Sequence, residues 1–141
     1  MCYTGHLFER EVVGQCLALS DGSYVSYRQA EQMVLRSQPW DPSDPGTRVG
    51  NDLHAQIALA LGIDDWSRLG LFTAIGSPLD QFHGVDAIIV LRTDRGCKKV
   101  TVDLTTNPTK GEYKATITIE PHQLESANMA ETAAMIARLL V

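Results

Sequence analysis

Between Val85 and Glu120 the chain carries its clearest pattern of apolar and polar positions. "VDAIIVLR" (85 to 92) is a β-branched run and reads as a buried strand. After the turn "TDRGCK", the stretch "KVTVDLT" (99 to 105) alternates, with Val100, Val102 and Leu104 on one face and Thr101, Asp103 and Thr105 on the other. A second turn, "NPTKGEY", leads to "KATITIE" (114 to 120), where Ala115, Ile117 and Ile119 share a face. Three consecutive strands joined by short turns predict an antiparallel meander.

The rest of the chain has mostly helical spacing. Leu7, Phe8, Val12 and Cys16 or Leu17 place a first helix in "GHLFEREVVGQCLAL". "SDGS" is a turn, and Ser26 can cap a second helix, "YRQAEQMVLRSQ", which Trp40 and Asp41-Pro42 end. "WDPSDPGTRVG" is loop-like, and Asn51 stands where an N-cap would precede "DLHAQIALALG", with Gly62 as the stop. The apolar run "LGLFTAIG" could be strand or helix by periodicity alone. The Gly-Ser-Pro that closes it favours a strand. Pro121 suits the first turn of a helix. Asn128 and Glu131 then form an N-x-x-E box before Met129, Ala133, Ile136 and Leu139 or Leu140, which predict a final helix across one sheet face. The expected fold class is α+β (mixed α/β): a central, mostly antiparallel sheet of three or four strands flanked by helices. One domain spans 1–141, with a helical part at 1–48 and a sheet core plus C-terminal helix at 49–141.

Composition changes this picture little. The chain has 141 residues, 44% hydrophobic and 21% charged, as in ordinary globular proteins. It has no apolar run of transmembrane length and no signal-peptide pattern at its N-terminus. Cys2, Cys16 and Cys97 are odd in number and lack CxxC spacing, so neither a disulfide framework nor a zinc knuckle is expected, and a cytoplasmic location is. Charge adds more. The net value is −5, which argues against coating nucleic acid by bulk charge. Yet Arg92 to Lys114 holds six basic and three acidic residues, +3 against −8 for the remainder. Such a patch suits a partner met at one face, or serves to keep exposed strand edges from pairing.

The chemistry concentrates on two aspartates. Asp86 opens one predicted strand and Asp103 lies late on the next, so a hairpin turning near residue 95 brings both to the same end of the sheet. Neighbouring strands are ~4.8 Å apart, close enough for two carboxylates to share a divalent cation. Without a cation the two charges repel. "SPLDQFHGVD" adds Asp80, as a turn cap or ligand, and His83, as a general base, ligand, phosphate contact or structural residue. His6, His54 and His122 have no metal-ligand spacing, and no P-loop, GxGxxG or GxSxG motif is present. Trp40 and Trp66 read as packing at the edge of the core.

"GVDAIIVL", a turn and "KKVTVDLTTNPTK" together resemble the core of the PD-(D/E)XK nuclease superfamily, over roughly residues 50 to 140. That resemblance implies a restriction-endonuclease-like fold and an Mg²⁺- or Mn²⁺-dependent nuclease acting on DNA. Asp86 would be the first metal-binding aspartate and Asp103 the second acidic residue. Asp52, at the start of the preceding helix, would be the helix-borne acid or merely a carboxylate suited to a helix N-terminus. Thr105 stands where the family has its lysine, and a threonine cannot supply that positive charge. Lys110 and Lys114 are the replacements within reach. Two other readings stand beside this one: an inactive relative serving as a binding or assembly module, and an unrelated small α+β interaction protein. A homodimer would help so small a module grip duplex DNA.

Overall fold

The computed structural model describes residues 5–106 and 115–141. Helices α1 (Gly5–Val13), α2 (Tyr27–Arg36) and α3 (Arg48–Leu61) come first. Strand β1 (Leu69–Thr73), helix α4 (Pro78–His83) and strands β2 (Ala87–Thr93), β3 (Gly96–Leu104) and β4 (Ile117–Ile119) follow, and α5 (Met129–Leu139) ends the order. One four-stranded sheet, ordered β1-β2-β3-β4, runs through the middle. The α+β expectation holds, as do the strand at "LGLFTAIG" and the helix-starting Pro121, which opens a 3-10 turn at Pro121–Leu124.

Strand alternation sorts the core onto two faces. Leu71, Ile89, Val100 and Val102 point to one side, where they meet Phe8 and Val12 of α1, Leu53 and Ile57 of α3, and Ala133 and Ile136 of α5. Ile88, Phe72 and Val90 point to the other, against Ala30 and Val34 of α2 and Leu79 of α4. Each fully buried Leu or Ile adds ~1.5–3 kcal/mol from the removal of its surface from water. Among the described residues the second face is covered only over β1 and β2. On its β3–β4 half Lys99 and Thr116 are exposed, while Thr101, Asp103 and Thr118 are half-buried.

The antiparallel meander is corrected at its last strand. β1–β2 and β2–β3 are antiparallel as expected, but β3 and β4 run parallel, with Val102 opposite Ile117 and Leu104 opposite Ile119. A tight turn reverses the chain. Parallel neighbours need a crossover of about a dozen residues, and 105–116 provides that length. The predicted turn "NPTKGEY" falls on 107–113, outside the described residues. β4 is also shorter than expected, although Thr116 extends the contact: its amide donates to Thr101 Oγ1 at 2.8 Å.

Helix ends needed three more corrections. α1 stops at Val13 rather than running through Cys16, because Gly14 takes a left-handed φ of 63°. α3 starts at Arg48, and its N-cap is Thr47, not Asn51; Thr47 Oγ1 accepts the Gly50 amide at 3.1 Å. Asn128 does precede α5 but makes no side-chain cap, since its amide group donates to the His122 carbonyl instead. Ser26 and Gly62 act as expected. Trp40 packs half-buried against Gly14 and Gly46, in line with an edge-of-core role.

Candidate carboxyl site at one end of the sheet

Local signals in "SPLDQFHGVD" build the first part of the site. Ser77 caps α4 by accepting from the Leu79 and Asp80 amides, Pro78 takes the first turn, and Gly84 ends the helix at φ 68°. This six-residue helix folds the chain back on itself. Asp80 then sits in its first turn, with Oδ2 accepting the Gly76 amide at 2.9 Å, and Asp86 arrives just ahead of β2.

Asp86 is 2% exposed, a carboxyl almost wholly out of water. Its amide donates to the Val102 carbonyl and its Oδ2 accepts the Leu104 amide, both at 2.8 Å. The side chain thus continues the β2–β3 ladder where the backbone of β2 leaves it. Asp103 follows Val102 on β3, half-buried, with Thr118 of β4 as its neighbour on the other side. Both Asp80 and Asp103 reach hydrogen-bonding contact with the Asp86 carboxyl.

The electrostatics follow from this crowding. Burial, then Asp80, then Asp103, with a further contribution from Glu9 of α1, push the Asp86 pKa from the ordinary 3.8 up to about 11. Among the described residues, the charges acting on it are therefore all negative. A carboxyl in that setting keeps a proton at neutral pH and donates it to a neighbouring carboxylate, or gives it up to a cation.

The other candidates divide clearly. The structure brings Asp80, Asp86 and Asp103 together. Asp52 is exposed in the second turn of α3 and is not among the groups acting on Asp86. His83 holds the loop before α2 through Nε2 and the Val25 carbonyl at 2.8 Å, so that nitrogen serves structure. Thr105 is half-buried and its amide continues the β3–β4 ladder to the Ile119 carbonyl at 3.0 Å. Lys110 and Lys114 lie outside the described residues. Glu9 is the contributor that sequence reasoning missed. The available signal was an acid flanked by Phe8 and Val12, on the face of α1 that turns towards the sheet.

The donor set is oxygen throughout, the chemistry a hard cation requires. Among the described residues no group of three or more His, Cys, Asp or Glu side chains is arranged to hold a metal ion. The set therefore fits Mg²⁺ or Mn²⁺ only in the manner of one or two carboxylates with the remaining positions left to water and substrate oxygens. No helix among the described residues is long and apolar enough to cross a membrane. No family model, curated protein or solved structure matches the chain, so the carboxyl geometry itself is what a functional reading has to start from.

Proposed function

We propose that the chain is a metal-dependent nuclease-like domain, of restriction-endonuclease-like fold, that hydrolyses DNA phosphodiester bonds. The observation that carries this reading is Asp86: a 2%-exposed carboxyl met by Asp80 and Asp103 at the end of two paired strands. Such a group costs stability unless a proton or cation compensates it. Asp86 and Asp103 would hold Mg²⁺ or Mn²⁺, which when bound supplies Lewis-acid stabilisation and a more acidic water. Asp80, anchored by the Gly76 amide, orients the Asp86 carboxyl, and the proton displaced from Asp86 leaves to water. Lys110 and Lys114 are the candidates for the positive charge that Thr105 does not provide. The same proposal places the protein in the cytoplasm, with Cys16 and Cys97 as free thiols.

One feature favours a second reading, an inactive relative kept as a binding or assembly module. Thr105 occupies the lysine position, and its amide is engaged in the ladder. Titration calorimetry with Mn²⁺ and nicking of circular DNA separate the two. The nuclease reading expects cation binding and cleavage in wild type, with both lost in Asp103→Ala. Cation binding without cleavage under any divalent metal would leave the binding module. Failure to bind a cation at all would remove the nuclease reading and leave an inactive binding or assembly module or an unrelated small α+β interaction protein.

A further inference from the structure

A strip of exposed aromatic rings begins one helical turn from the carboxyl cluster. Asp80 and His83 are three residues apart on α4 and so share a helix face. Tyr24 is 71% exposed, with its ring 5.4 Å from Phe82 and 5.8 Å from His83 between centroids. Tyr27 is 41% exposed and packs edge-on against the same imidazole at 5.4 Å. The His83 bond to Val25 fixes the loop that carries Tyr24, and the Ser26 cap fixes Tyr27 at the start of α2. These rings are rigidly mounted yet face water, and both meet the His83 imidazole, so they form one contiguous patch.

Charge next to the strip says what kind of partner fits. Beyond Tyr27, α2 meets the β2–β3 hairpin through the Lys99–Glu31 ion pair at 2.6 Å. Arg28 on α2 and Arg95 at the tip of the hairpin are exposed, and their side chains make no ion pair or hydrogen bond among the described residues. Stacking surfaces beside unpaired cations suit a polyanion that carries its own flat rings. Lys99 and Asp103 share a strand face four residues apart, about 13 Å, so the basic end and the acidic end belong to one continuous surface.

We propose that Tyr24 and Tyr27 form a base-stacking platform for single-stranded DNA and that Arg28 and Arg95 meet its phosphates. The strip holds an unpaired strand so that its backbone runs towards Asp86 and Asp103. This inference rests on the nuclease-like reading and gives its substrate a strandedness. The platform is indifferent to base sequence, because every base offers a π-face.

Fluorescence anisotropy of a labelled oligothymidylate in EDTA tests the platform with cleavage switched off. Wild type should bind it more tightly than the matching duplex, with affinity falling as salt rises. The double variant Tyr24→Ala/Tyr27→Ala should lose roughly tenfold or more, in keeping with stacking lost at two bases. Tyr24→Phe/Tyr27→Phe should keep wild-type affinity, since the ring faces remain. No oligothymidylate binding by wild type, tighter binding of duplex, or equal binding by the alanine variant would each overturn the proposal. Asp103→Ala tests the carboxyl site separately, through nicking with Mn²⁺. Its loss of cleavage therefore bears on the carboxyl site, while loss of oligothymidylate binding in the alanine variant bears on the strip.

Discussion

Asp86 combines a structural duty with a charge it cannot easily keep. Its Oδ2 receives the Leu104 amide, and its proton is held because water is excluded and carboxyls surround it. An unfolded aspartate releases its proton near 3.8, while this one keeps it up to about pH 11. Across that interval the folded state binds the extra proton, so the favourable contribution is complete below pH 3.8 and is lost as pH rises through the folded value. Asp86→Asn keeps an oxygen for the Leu104 amide and an N–H donor for Asp80. The variant should be more stable than wild type at pH 7 by about 1–3 kcal/mol and should show a flatter stability profile between pH 4 and pH 9 in denaturant titrations. A variant less stable than wild type at pH 7 would contradict the protonated, buried state of this carboxyl. The pairing of Asp86 with Asp103 was legible in the sequence because hairpin register and alternation fix who faces whom. The arrival of Asp80 and Glu9 was not, since it depends on how α4 turns back and how α1 packs.

At the scale of elements, Gly50 shows how closely α1 approaches α3. The Val12 carbonyl accepts a hydrogen bond from the Thr47 hydroxyl, and a Cβ at Gly50 would collide with that carbonyl and stand 2.6 Å from Thr47 Oγ1. Intrinsic propensity alone says that alanine in a helix improves on glycine by ~1 kcal/mol. Overpacking against main chain costs about 1–3 kcal/mol and should win here. Gly50→Ala should therefore lower the denaturation midpoint; an increase would mean that α1 can shift without loss. The same junction explains why the α3 cap was misread. Thr47 and Asn51 both have capping side chains, and only the proximity of Val12 selects Thr47. The sense of β4 was hidden for a related reason: alternation reports which face a residue shares, and it is silent about strand direction. Ile117 and Ile119 face the same core whichever way the strand runs.

For the whole molecule, the proposed cation and the proton on Asp86 compete for one position. Binding should raise the melting temperature, and the rise should grow with pH because less work is needed to remove the proton. Thermal melts in Mn²⁺ and in EDTA between pH 6 and pH 9 should then diverge, and the gap should vanish in Asp86→Asn. A gap that is constant with pH would place the cation elsewhere.

The parallel crossover has a consequence for the order in which the sheet is assembled. β2 and β3 follow one another through a tight turn and can zip locally, while β1 reaches β2 only through residues 74–86, which carry α4, and gains five paired positions. β4 is separated from β3 by residues 105–116 and gains only three paired positions. Loop-closure entropy is spent there before contacts repay it. Of the two strands reached through a long connection, β4 repays the closure least, so the wall beside Asp103 should be the last part of the sheet to close and the first to open. The carboxyl pair is set up early by the β2–β3 hairpin, and Thr118 closes over its flank only at the end of folding.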